Sequence, residues 1–275
     1  MEWIVLLIII GLSSGTIGSL IGLGGGIIIV PALLFFSSAS GLLTPLTPQV
    51  AVGVSTVVMI FTGLSSTLAY MKHKTVDYKS GFIFFAGSAL GGILGALMNK
   101  HMELDDFNLY FGIFVILISL VLMIKDRLKP VSFKETFQIK RVFKDPDGKE
   151  FHYGYNVLPA LLISIAVGFC SGLFGIGGGS LIVPAMILLF LFPPHVAVAT
   201  SMFLVFLSSM VNSVTHISLG NVNWAYAAAL IPGAWFGAKL GAYINKKLTS
   251  KSLVNILRIM LLIIGIRLIY QGIIG

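Results

Sequence analysis

Few residues in this 275-residue chain have the type and spacing to do chemistry. Two related stretches stand out, GLGGGIIIVPA from Gly22 to Ala32 and GIGGGSLIVPA from Gly175 to Ala185. Each sits in a long apolar run and supplies several residues that disfavour a continuous helix. Where a helix restarts inside a membrane, its first N–H groups have no partner within the helix and must find one elsewhere. An oxyanion satisfies several at once, and the positive end of the helix dipole favours it. Gly24, Gly25 and Gly26, with Gly177, Gly178 and Gly179, are therefore candidates for an anion cradle. Ser180 adds a hydroxyl at the start of the second restarted helix, where its counterpart Ile27 adds none. The structural alternative is that these glycines only let helices pack closely. Repetition of the whole cluster, each copy followed by proline, favours the ligand.

A polar stripe is the second feature. Thr200, Ser208, Asn212 and His216 recur at steps of eight, four and four, on one face of a helix. Ser201, Ser209 and Ser213 widen it, and Ser55, Thr62, Ser66 and Tyr70 are its counterpart in the first half. Polar faces on membrane helices point to a bundle interior or a watered pathway, the alternative being hydrogen bonds between helices. Ser55, Thr200, Ser201 and Asn212 are candidate substrate contacts. His216, expected near a membrane boundary, joins Lys239 and Arg267 as a candidate pathway charge, although Lys239 could simply snorkel to the interface.

The absent types matter as much. No Asp or Glu lies well inside an apolar run, which leaves no buried carboxylate relay. No metal-ligand spacing and no nucleophile–base pair occurs there, so neither an enzyme, a cofactor nor a metal is expected. Lone Cys170 reads as a small buried apolar residue.

The elements that must position these residues follow from composition. The chain is 57% hydrophobic and 10% charged, against roughly 25% charged residues in a soluble domain. That is an integral membrane protein with the lipid bilayer as its partner. The net charge is +8, and outside the polar loop from Lys125 to Glu150 the basic residues lie in short clusters at the ends of apolar runs, an orientation signal and not a nucleic-acid footprint. The first run, Trp3 to Phe36, would rise ~51 Å as one helix against a hydrocarbon core of about 30 Å. It must break or tilt, and its glycines mark the break. Further runs extend from Val50 to Tyr70, Gly81 to Met98 and Phe107 to Ile124. After a polar segment come Val157 to Phe192, Val196 to Ile217, Trp224 to Ile244 and Leu253 to Tyr270. Within the polar segment, partly alternating aromatic and apolar residues flank Asp145-Pro146-Asp147-Gly148, which predicts a small hairpin or else a linker.

The second half repeats the first. Glycine motifs align at an offset of 153, and everything from Gln49 onward aligns at 146: QVAVGVS (Gln49 to Ser55) on HVAVATS (His195 to Ser201), and Gly91, Gly95, Asn99 and Lys100 on Gly237, Gly241, Asn245 and Lys246. Residues 1–125 form the first membrane repeat, 126–156 a cytoplasmic linker and 157–275 the second repeat. If each broken run crosses once, the basic clusters divide 11 against 4. If each dips in and returns, three residues from Lys72 to Lys79, eight from Lys125 to Lys149 and three from Lys246 to Lys251 share one side, 14 in all, with Lys100 alone opposite. The positive-inside rule prefers the second arrangement. The expected fold is thus an all-α integral membrane protein of two inverted repeats, each a glycine-broken, re-entrant helix pair followed by three transmembrane helices, with both termini outside the cell membrane.

The paired GxGGG motifs, each followed by a short apolar run and Pro-Ala and each opening one half, resemble the TauE/SafE sulfite-exporter family of membrane permeases. The resemblance implies transport of a small anion, chiefly a sulfur oxyanion or organosulfonate such as sulfite or sulfoacetate, across the cytoplasmic membrane of a prokaryote. Alternating access between the halves is the expected mechanism. A channel or uniporter without ion coupling is the nearest alternative, and a membrane-embedded enzyme a more distant one.

Overall fold

Ten helices and one hairpin make up the computed structural model, which describes residues 2–39, 43–124, 137–144, 148, 150–247 and 250–274. The first repeat holds α1 (Glu2–Ile21), α2 (Gly26–Ala39), α3 (Pro48–Met71), α4 (Tyr78–Asn99) and α5 (Leu104–Ile124). Strands β1 (Ile139–Lys144) and β2 (Glu150–Tyr155) follow. The second repeat holds α6 (Val157–Phe174), α7 (Gly179–Leu188), α8 (Pro194–Ser218), α9 (Trp224–Asn245) and α10 (Ser250–Ile274).

Local chemistry sets the boundaries. Proline opens both α3 and α8, where its missing N–H costs nothing. Asp77 caps α4 by accepting from Ser80 N, and Asn223, 146 residues later, caps α9 by accepting from Tyr226 N. Among the described residues, α1, α3, α4, α6 and α8 are long and apolar enough to cross a membrane, whereas α2 and α7, of 14 and 10 residues, are shorter. Outward faces stay apolar: Val5, Ile9, Leu90, Leu94, Val214 and Phe236 are exposed, as lipid contact requires. This is an all-α multi-pass membrane protein apart from its small hairpin.

The helices pair across the two repeats. Glycines at four-residue steps on α4 (Gly87, Gly91, Gly95) face Leu161, Ile165 and Phe169 of α6, so the two run parallel. Their counterparts on α9 (Gly233, Gly237, Gly241) face Ile8, Leu12 and Thr16 of α1, also parallel. At most of these glycines a Cβ would collide with backbone carbonyl oxygen, so the axes approach as closely as small residues permit. Helices α3 and α8 occupy the centre and run past each other in opposite directions, with Gly53 against Asn221 and Gly63 against Phe206. Helices α5 and α10 pair likewise, Gly112 meeting Gly265 and Gly272 meeting Leu109.

Each broken run comes back to the end where it began. Trp3 at the start of α1 packs on Tyr226, ring centres 5.6 Å apart, and Thr44, beyond α2, donates its N–H to the same tyrosine hydroxyl at 3.0 Å. In the second half Tyr155, just before α6, packs on Phe190 and Phe192 beyond α7, at 5.7 and 6.3 Å.

The hairpin lies over that second end. Its strands pair antiparallel from Ile139 with Tyr155 to Lys144 with Glu150; of the turn, Asp145, Pro146 and Asp147 lie outside the described residues. Gly154 N donates to Phe190 O at 3.0 Å, Tyr153 OH to Asp77 Oδ2 at 3.1 Å and Tyr155 OH to Ser80 Oγ at 3.0 Å. Burial raises the pKa of both phenols, and for Tyr153 the Asp77 carboxylate adds to it, so both remain hydrogen-bond donors.

Candidate functional site

The last carbonyls of a helix that stops inside a membrane must be satisfied by the protein. At the end of α1, Ser19 O accepts from Tyr70 OH at 2.8 Å, Leu20 O from Asn245 Nδ2 at 2.6 Å and Gly22 O from Ser201 Oγ at 2.9 Å. At the end of α6, Gly172 O accepts from His216 Nε2 at 3.2 Å, Leu173 O from Asn99 Nδ2 at 2.8 Å and Gly175 O from Ser55 Oγ at 2.8 Å. Donors correspond at the 146 offset and acceptors at the 153 offset. Each lost cap would strand a buried carbonyl at a cost of about 1–3 kcal/mol.

The restarted helices are treated differently. Gly26, which opens α2, lies against Gly175 and Ile176; Gly179, which opens α7, lies against Gly22 and Leu23. The two breaks thus abut, each helix start facing the other repeat's helix end, where opposite dipole ends attract. No side chain caps α7, whose N-cap is Gly178, and Gly25 before α2 has none to offer. Gly22, Gly24, Gly25, Gly175 and Gly177 adopt positive φ between 66 and 93°, a conformation that strains L side chains. Gly178 does not; an added Cβ there would meet Ser88 Oγ at 3.3 Å and otherwise have room. Between Gly24 and Gly177 sit Met59 of α3 and Val205 of α8, themselves equivalent at the 146 offset.

The structure brings together most of the residues singled out in the sequence, in roles the sequence did not separate. All six cradle glycines are buried at the junction of the breaks. Ser55 and Ser201 are there too, spent on the carbonyl caps. Thr200 accepts the Asp77 N–H at 3.0 Å under the hairpin, and Asn212 Nδ2 donates to Ser171 Oγ at 3.2 Å. The side chain of Ser180 lies outside the described residues. His216, in the last turn of α8, is fully buried as a cap of α6, because a carbonyl there needs a donor. Because a carbonyl only accepts, Nε2 carries the proton. Lys239 and Arg267 lie apart on the exposed surface, over the rings of Trp235 at 5.6 Å and Phe35 at 3.7 Å.

Sequence reasoning passed over Asn99, Asn245, Met59 and Val205. The two asparagines did carry a signal, an amide at the same place in both repeats at the end of an otherwise apolar helix. Met59 and Val205 carried none.

The sequence agrees with this architecture when set beside known proteins. The family model of the sulfite exporter TauE/SafE matches residues 7–268, across both repeats and both breaks. The chain belongs to the TauE/SafE family. It is 58% identical over 269 residues to the probable membrane transporter protein YunE of Bacillus subtilis, covering 98% of each chain. It is 26% identical to the probable membrane transporter protein YjnA of the same organism, over 96% of this chain and 98% of the relative. The probable membrane transporter protein YfcA of Escherichia coli is 25% identical, over 97% and 89%. No solved structure matches the chain. With this family and these relatives, the protein is a membrane transporter for a small substrate.

Proposed function

We propose that this protein carries a small anion, a sulfur oxyanion or organosulfonate such as sulfite or sulfoacetate, across the cell membrane by alternating access. One observation carries the reading: at the abutting breaks side chains cap the carbonyls of Ser19, Leu20, Gly22, Gly172, Leu173 and Gly175, whereas no side chain caps the start of α7 and Gly25, before α2, has none to offer. The groups left to bind a ligand are N–H donors, and donors select an anion. The cradle is formed by backbone around Gly24 to Gly26 and Gly177 to Gly179, with Ser55 and Ser201 holding the neighbouring carbonyls in place and Ser180 and Asn212 tuning it. Met59 and Val205 fill the space between the breaks, so passage requires the repeats to part, which favours a carrier over an open channel.

The repeats are inverted in the membrane, the hairpin end faces the cytoplasm and both termini lie outside. Supporting this are the opposed directions of the equivalent helices α3 and α8, the return of each broken run to its own side, and the gathering of basic residues at the hairpin end.

Flux into reconstituted vesicles tests the function. Uptake of sulfite or sulfoacetate should saturate, and Gly178→Leu should abolish it while membrane insertion persists; normal uptake by that variant rejects the cradle. Single cysteines placed at Lys140 and Lys100, in a Cys170→Ala background, should react with an impermeant thiol reagent from opposite sides. Labelling of both from one side rejects the inverted topology.

A further inference from the structure

At the hairpin end a cavity of about 560 Å³ opens between β1, the turn after α3, the start of α8 and the end of α9. Lys74 and Lys246 line it with His73 and His195, and no carboxylate lines it among the described residues. Lys144 is also there but is engaged by Glu150 at 2.7 Å, whereas Lys74 and Lys246 form no ion pair with a described residue. Val142 and Phe143 of the hairpin and Tyr70 add apolar lining. Desolvation and then the charges of Lys246 and Lys72 push the His73 imidazole below its usual pKa.

A comparison between the repeats singles out Lys74. Its equivalent at the 146 offset is Gly220, and both adopt positive φ, 54° for the lysine and 75° for the glycine. The turn suits glycine, and the second repeat uses one. The first repeat holds a lysine there against its backbone preference, as strained residues are held at functional sites. The cavity is also joined to the end of α1. His195 Nδ1 bonds Asn245 Oδ1 at 3.1 Å, and both Asn245 and Tyr70, which line the cavity, cap α1 carbonyls.

We infer that this cavity is a binding site for an organic anion with an apolar body, its acidic head between Lys74 and Lys246 and its body against Val142, Phe143 and Tyr70. Size supports the class: the cavity falls in the usual range for small-molecule pockets, about 300–1,000 Å³, whereas a bare oxyanion is nearer the ~30 Å³ share of a water molecule. The site is separate from the cradle at the breaks and does not depend on it.

Calorimetric titration of the purified full chain with benzenesulfonate, and with inorganic sulfate as the control, tests the inference. Benzenesulfonate should bind at least about tenfold tighter than sulfate, and Lys74→Gly combined with Lys246→Ala should weaken it at least about tenfold. Lys74→Gly alone should reduce affinity without lowering the thermal midpoint, since it relieves the backbone. Gly178→Leu, aimed at the cradle, should leave this binding in place even where it stops transport. Equal binding of sulfate, undiminished affinity in the lysine variants, or loss of binding in Gly178→Leu alone would each overturn the assignment. Lysine-dependent binding to phosphatidylglycerol vesicles, with none to benzenesulfonate, would overturn it in favour of a lipid headgroup.

Discussion

At the end of α1 the three capping side chains are a tyrosine, an asparagine and a serine; at the end of α6 they are a histidine, an asparagine and a serine. Two of the three pairs are identical and the third changes chemical type while keeping its task. A phenol and an imidazole share little beyond a long reach and one donor hydrogen, so the position demands a donor and not a titrating group. Around these matched caps the repeats diverge. The seam among α4, α6 and α8 contains buried Ser88, Ser164, Ser171, Ser208 and Asn212, with Ser88 and Ser208 bonded at 3.0 Å. The equivalent positions around α1, α3 and α9 are Ala234, Gly11, Gly18, Thr62 and Ser66. The two helix breaks match in their caps, and the surroundings of each break differ.

The largest expected effect lies where the repeats agree most closely. Gly91→Leu and Gly237→Leu each drive a side chain into the backbone of the partner helix, so each should abolish recovery of monodisperse protein in gel filtration, at a cost of about 4 kcal/mol or more. If only one does so, the two seams are not equivalent. Next come the amide caps. Asn99→Ala and Asn245→Ala should each lower stability by about 1–3 kcal/mol, read as similar drops in the thermal midpoint. A clearly larger loss for Asn245→Ala would mean that its additional bond to His195 matters, which sharpens the contrast between the ends. The smallest effect is expected at the mismatched pair. His216→Tyr installs the side chain of its counterpart and should preserve both the rate of transport and its dependence on pH; loss of the acid limb of that profile would give His216 a proton role that Tyr70 cannot share.

Much of the fold was legible because membranes impose coarse rules. Apolar runs long enough to span, proline and glycine punctuation and a duplicated pattern located the helices within a few residues, as with Val50 to Tyr70 against the observed α3. The site was legible in part. Glycine clusters announced where the helices would break, but not that the two clusters would meet, since that requires α3 and α8 to cross at the centre. The stripe of Ser55, Ser201 and His216 read as a pathway because polarity on a membrane helix signals a partner without naming it. Here the partner is the carbonyl end of a broken helix, for Ser55 and Ser201 one from the other repeat, 120 and 179 residues away, and for His216 that of α6 in its own repeat, 44 residues away.

The amino-acid sequence by itself determined that the chain lives in a membrane, that it is duplicated and that each copy interrupts a helix at Gly22 to Gly26 or Gly175 to Gly179. Hydropathy and backbone conformational preference are properties of short segments, so sequence carries them directly. Tertiary structure alone decided that α1 packs on α9 and α6 on α4, that the asparagine and serine caps of each broken helix come from the other repeat, and that Lys74, Lys246 and the hairpin line one cavity. Those are pairings between distant segments, set by which surfaces fit closely enough to satisfy every buried polar group, and no local pattern encodes them.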